Sequence, residues 1–159
     1  MEKFKVCIDY VVLQDEELSE QDRILVQRAK DATYNSYSPY SHFSVGAAVR
    51  IANGEVYSGS NQENAAFPSG LCAERCVLFY AHAQNPEEVV ETIAIAARHS
   101  DGRFAEGPIS PCGACRQVLA ETEYRNKKPL RILLYGTRGT LVFENVESLL
   151  PFMFTDDDM

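Results

Sequence analysis

The sequence has no excess of positive charge, no long apolar run and no internal repeat across its 159 residues. Fifteen Lys and Arg stand against 23 Asp and Glu, for a formal net charge of −8. An electrostatic grip on polyphosphate chains depends on clustered Lys and Arg, so neither nucleic acid nor an anionic membrane is expected as a partner. The opening residues MEKFKVCIDYVVLQDEEL carry charge at Glu2, Lys3, Lys5 and Asp9. That breaks up both a signal-peptide core and a membrane span, and the expected location is the cytoplasm. Linkers and low-complexity stretches are missing too, and a hydrophobic fraction of 45% suffices for the core of one domain. The five cysteines are an odd number, and without an export signal a disulfide scaffold is not expected. Spaced thiols in a reducing compartment point instead to metal binding or catalysis.

The apolar spacing yields an ordered series of elements. Residues 19–36 open on a Ser, Glu and Asp cluster and place Ile24, Leu25, Ala29 and Ala32 at helical intervals. Pro39 then forbids continuation. FSVGAAVRI and EVYSGSN flank Asn53-Gly54, a pair suited to a tight hairpin turn. CAERCVLFYAHAQ reads as a helix ending before Asn85-Pro86. VETIAIAAR is apolar at most positions, as in a central strand buried on both faces. SPCGACRQVLAETEY gives a loop and a helix, RILLYG and TLVFE give strands, and VESLLPFMF a short last helix. This alternation predicts an α/β layered domain whose mixed sheet of about five strands is flanked by helices.

The chemistry concentrates in LCAERC and SPCGACRQ. Cys112 and Cys115 form a C-x-x-C where a loop becomes a helix, so both sulfurs can converge at a helix start, which favours thiolates. Cys72, at the start of another helix, supplies a third sulfur. Three thiolates and an open position describe a catalytic zinc site, whereas a fourth ligand from Cys76 would close it into a structural module. Spacing alone allows both. Glu74 favours the open site, because a carboxylate in the first helical turn, two residues from a ligand, can reach the fourth position and handle a proton of bound water. Cys76 then reads as a packing residue.

C-A-E followed by P-C-x-x-C is the pattern of zinc nucleobase deaminases. Through PYSHFSVGAAV, NQENAAFPSGLCAER, PCGACRQV and LLPFMF, the chain resembles the short, tetrameric cytidine deaminases over most of residues 20–155. The resemblance implies a three-layer α/β/α fold over 19–159, with 1–18 as an N-terminal extension that could add a strand. It implies one zinc per chain, held by Cys72, Cys112 and Cys115 at two helix N-termini, and a homotetramer with shared active sites. Glu74 becomes the catalytic proton carrier, and Arg75 a hydrogen-bond donor to the sulfurs. Asn61 and Glu63 fall where the ribose 3'-hydroxyl is held, Phe43 beside the pyrimidine and ribose, and Phe154 where a neighbouring subunit stacks on the base. Phe152, bulky where the family tends to small residues, competes with Phe154 for that role.

The implied activity is hydrolytic deamination of cytidine and 2'-deoxycytidine, as in pyrimidine salvage. Two readings compete with it: the closed four-cysteine zinc module, and a related deaminase acting on a nucleoside antibiotic such as blasticidin S or on a cytosine in RNA. A buried Asn61 and Glu63 left unpaired by a free base favour an ordinary ribose. Arg116 is a second candidate donor to the sulfurs. Tyr34, Tyr37 and Tyr40 lack the interleaved basic residues of a single-strand stacking platform and read as packing, interface or pocket-roof residues.

Overall fold

The computed structural model describes residues 1–159. Its elements are β1 (Val11–Leu13), α1 (Glu20–Ala32), β2 (Ser44–Ile51), β3 (Val56–Ser60), α2 (Ala73–Gln84), β4 (Val90–Arg98), α3 (Gly113–Asn126), β5 (Arg131–Leu134) and β6 (Thr140–Phe143). The strands make one six-stranded mixed sheet in the order β1-β6-β5-β4-β2-β3. Its one parallel pairing, β4 with β5, is crossed over by α3.

The period-2 alternation of side chains divides the core into two layers. Ala47, Val49, Ile93, Ile95, Ile132 and Leu134 pack with Val77 and Leu78 of α2 and Leu119 of α3. Ala48, Ala94, Ala96, Leu133 and Val142 face the other way, onto Leu25, Val26 and Ala29 of α1. The architecture is therefore three-layer α/β/α, with α2 and α3 sharing one face of the sheet. Alternating small residues let α1 sit directly on β2: a Cβ at Gly46 would lie 2.1 Å from the Ala29 carbonyl oxygen. On α1, Ser19 caps the N-terminus by accepting from the Asp22 amide. The buried Asp22 carboxylate accepts from Arg131 at 2.7 Å and faces Arg50 at 3.9 Å, so α1 is tied to β5 and β2.

Most expected elements are present, including the β2–β3 hairpin with Gly54 at φ 90° in its turn. Three features differ from expectation. The sheet has six strands rather than about five: Val11–Leu13, within the N-terminal extension that could add a strand, pairs antiparallel with β6 at the sheet edge. The first helix stops at Ala32, and residues 33–35 tighten into a 3-10 turn; the Thr33 hydroxyl bonds back to the Lys30 carbonyl. VESLLPFMF is not a helix. Asn145 Oδ1 accepts from the Ser148 amide and starts a turn, and the amides of Leu149 and Leu150 reach the Val146 carbonyl. Pro151 then offers no N–H, and Arg116 takes the Leu149 carbonyl at 2.8 Å, so no second turn forms.

Candidate metal centre and substrate cavity

Two helix N-termini on the same face of the sheet bring the thiols together. Cys72 is the N-cap residue of α2 and Cys112 that of α3, and neither side chain caps its own helix. Cys115 follows in the first turn of α3, fully buried. The Cys72–Cys112 and Cys112–Cys115 sulfur separations are 3.9 and 3.5 Å, and all three sulfurs lie within 4.8 Å of one another. Zinc–sulfur bonds of about 2.3 Å in tetrahedral geometry require sulfurs about 3.8 Å apart. The cluster fits zinc in donor type and in spacing.

Cys76 is not one of the grouped sulfurs. It lies one turn along α2, where that helix packs on β3, and a Cβ at Gly59 would be 3.3 Å from Cys76 Cβ. The closed four-cysteine module therefore lacks its fourth sulfur. Burial lifts the Cys76 thiol above its ordinary value. Cys72 behaves oppositely: the neighbouring Cys115 thiol and Arg75, whose Nη2 is 3.7 Å away, lower it to about 5 against the cost of burial. Cys115, buried beside that thiolate, is pushed up. Because the thiolate is the nucleophilic form, metal-stripped protein should be alkylated at Cys72 by iodoacetamide down to about pH 5, while Cys76 reacts only in alkali. Peptide mapping after timed labelling reads both rates, and similar pH profiles for the two would refute this electrostatic picture.

A cavity of about 670 Å³ opens beside the thiols, lined in part by Phe43, Asn61, Glu63, Cys72, Glu74, Arg75 and Cys112. Glu74 is only 4% exposed. Burial raises its carboxyl above the usual range, and the adjoining Cys72 adds to that. Val45, Ile95 and Ile109 supply apolar wall.

Asn61 is held by its own chain. Its Oδ1 accepts from Ser36 Oγ at 2.6 Å and from the Val45 amide at 2.8 Å, and its Nδ2 donates to the Phe43 carbonyl at 3.0 Å. With two donors and two acceptors in the amide, one N–H is left over. Glu63 Oε2 accepts from the Tyr40 and Ser41 amides at 2.9 and 3.3 Å. Hydrogen bonding to Ser41 leads the effects that lower its pKa. These bonds fix the loop carrying Phe43, whose ring lies 5.6 Å from that of His99.

Phe154 and Phe152 do not line this cavity in their own chain. Both are exposed, Phe154 at 59%, and Gln117 brackets the Phe154 backbone from both sides. Arg116 does not reach the sulfurs either: its guanidinium donates to the carbonyls of Pro111 and Leu149. Tyr40 and Phe67 do line the cavity, as an edge-to-face pair 5.8 Å apart. Sequence reading assigned no role to Phe67; the available signal was an aromatic beside Pro68 in a polar loop.

Residues 19–128 match the family model of the cytidine and deoxycytidylate deaminase zinc-binding region. A cytidine deaminase of Halalkalibacterium halodurans is 39% identical over 137 residues, covering 86% of this chain and 96% of the relative. A probable cytidine deaminase of Dictyostelium discoideum is 30% identical, covering 84% of this chain and 86% of that one. The crystal structure of a cytidine deaminase from Burkholderia pseudomallei superposes with a TM-score of 0.71 at 37% identity, covering 86% of this chain and all of that one.

Proposed function

The chain belongs to the zinc-dependent cytidine and deoxycytidylate deaminase family, and from that premise we propose that it hydrolyses free cytidine and 2'-deoxycytidine to uridine and 2'-deoxyuridine, releasing ammonia. The observation that carries this reading is the meeting of three sulfurs and a buried carboxyl at a cavity that also holds Asn61, Glu63 and Phe43. Cys72, Cys112 and Cys115 would hold the zinc, which when bound supplies a Lewis acid that makes water nucleophilic near neutral pH.

Glu74 carries the protons. It takes one from the attacking water and delivers it to ring N3 as aromaticity is lost, then moves the remaining proton of that water from the hydroxyl now on the ring carbon to the departing amino group, leaving a carbonyl. One carboxyl serves both steps because N3 and the amino group are adjacent, and a raised pKa suits a group that must both accept and donate. Arg75 donates to the Cys72 sulfur and offsets part of the negative charge that three thiolates bring; the positive ends of α2 and α3 do the same.

The ribose is recognised by the spare N–H of Asn61 and the free oxygen of Glu63, which lines the cavity with it. Glu63 would also repel a 3'-phosphate, so a nucleoside is preferred over a polynucleotide. Phe43 lies along the pyrimidine and ribose. Thiolate chemistry of this kind suits a reducing compartment, and pyrimidine salvage in the cytoplasm is the setting that fits.

Phe154, exposed and outside its own cavity, is proposed to stack on the base in a neighbouring subunit of a homotetramer. Base–aromatic stacking contributes about 1–3 kcal/mol, so Phe154→Ala should raise KM by about fivefold to 150-fold with little change in kcat. Mixing Phe154→Ala with Glu74→Gln chains should restore low-KM turnover that neither has alone. A mixture no better than its parts would rule out the shared site. The activity itself is tested by the fall in ultraviolet absorbance as cytidine becomes uridine; zinc-loaded protein that leaves cytidine and deoxycytidine unchanged refutes the reading.

A further inference from the structure

The backbone of the segment ahead of β1 has no hydrogen-bond partner in its own subunit. Phe4 is 90% exposed, and Val6, Ile8 and Tyr10 lie between 50% and 55%. These residues alternate with Lys3, Lys5, Cys7 and Asp9. No helix or strand includes residues 1–10, and their backbone makes no hydrogen bond outside the segment. The Tyr10 ring rests 5.6 Å from that of Phe143. A period-2 pattern with one apolar face is that of a half-buried strand, yet β6 cannot supply the missing neighbour. The register Val11↔Val142 sets Tyr10 beside Phe143, the last residue of β6, and everything earlier overhangs the sheet. β1 is also a sheet edge with its outer side unpaired, a template for another strand.

We propose that residues 4–10 pair antiparallel with the same residues of a second copy of this chain, about a two-fold axis through Cys7. Such an isologous contact requires a self-complementary segment, and this one is self-complementary in that register. Phe4 falls opposite Tyr10 of the second copy and Val6 opposite Ile8, all on one face. On the other face Lys5 meets Asp9 twice, once on each side of the facing Cys7 pair. Neighbouring registers are worse. With Ile8 on the axis, Lys5 faces Val11 and Cys7 faces Asp9, so both charge pairs are lost. With Val6 on the axis, Lys3 replaces Lys5 as the partner of Asp9, but Lys5 then faces Cys7 and Tyr10 faces Glu2, so the outer apolar pair is lost. Slips by one residue set the apolar side chains of one arm against the polar side chains of the other. Charge permits the approach: within residues 1–10, Lys3 and Lys5 balance Glu2 and Asp9, so the formal −8 resides in the remainder of the chain. The arm precedes the residues matched by the family model, and its pairing is a contact separate from the one proposed for Phe154.

The test is thiol cross-linking of the zinc-loaded full chain by a short bis-maleimide, read as covalent dimer on a denaturing gel. The wild type should give dimer and Cys7→Ser none. Moving the thiol, as Cys7→Ser with Lys3→Cys, should abolish cross-linking, because the two Lys3 positions lie at opposite ends of the pairing. Lys5→Asp places like charges opposite each other at both ends and should lower the dimer fraction about tenfold. Adding Asp9→Lys should restore it. Turnover and its dependence on Phe154 should be unaffected by the arm variants, which separates this contact from active-site sharing. The pairing is overturned if Cys7 takes a monofunctional maleimide but yields no dimer, if the Lys3 thiol cross-links as well as Cys7, or if the charge swap fails to restore the dimer.

Discussion

Replacing Glu74 by glutamine should leave one zinc per chain and lower kcat by about 10⁴-fold, the upper end of what a single positioned acid–base group contributes. The expectation is at that end because, in the mechanism proposed, one carboxyl serves the attacking water, N3 and the leaving amine, so its loss would affect each proton transfer. Glutamine keeps the size and the hydrogen-bonding reach of the side chain in a site that is 4% exposed, so packing should survive. Substrate affinity should change little, since the residues proposed to hold the sugar, Asn61 and Glu63, are anchored by Ser36, Val45, Tyr40 and Ser41 and not by Glu74. Steady-state kinetics with metal analysis on the same sample checks both halves. A variant that loses its zinc would move Glu74 from proton carrier to ligand.

The second large effect separates the cysteines. Cys112→Ala should reduce bound zinc from one per chain to near none and abolish turnover, because two remaining thiolates make a poor site for a metal that takes four ligands. Cys72→Ala should behave alike, with the added loss of the Arg75 hydrogen bond. Cys76→Ser, one turn further along α2, should keep full zinc and near-normal activity, because Cys76 stands apart from the three grouped sulfurs. Its cost should fall on stability: a hydroxyl replaces a half-buried thiol against β3. Elemental analysis after gel filtration, with a thermal melt for Cys76→Ser, measures these outcomes. Metal loss in Cys76→Ser would revive the closed module.

Much of this was legible in the chain because the signals are local. Asn53-Gly54 announces its own turn, the apolar run of β4 announces burial on both faces, and a cysteine at a helix start shows where its sulfur can point. The misses are non-local. That the N-terminal extension could add a strand was readable, but that Val11–Leu13 forms it, along β6, is something three half-exposed residues cannot reveal. VESLLPFMF has helical spacing, but Pro151 and the distant Arg116 take the bonds a helix would need. The same distant bonding keeps Arg116 from the sulfurs, for which sequence proximity made it only a second candidate donor. Asn61 shows a subtler limit: its place at the cavity follows from the motif, whereas its use in bracing the Phe43 loop follows from Ser36 and Val45, 25 and 16 residues away. Phe67 went unnoticed because a loop aromatic has no period to betray its direction.

X-ray absorption at the zinc edge of the loaded protein tests the central claim most directly. Three sulfurs at about 2.3 Å and one lighter oxygen or nitrogen neighbour is the expected shell. Four sulfurs would contradict it, since no position would then remain for water beside Glu74.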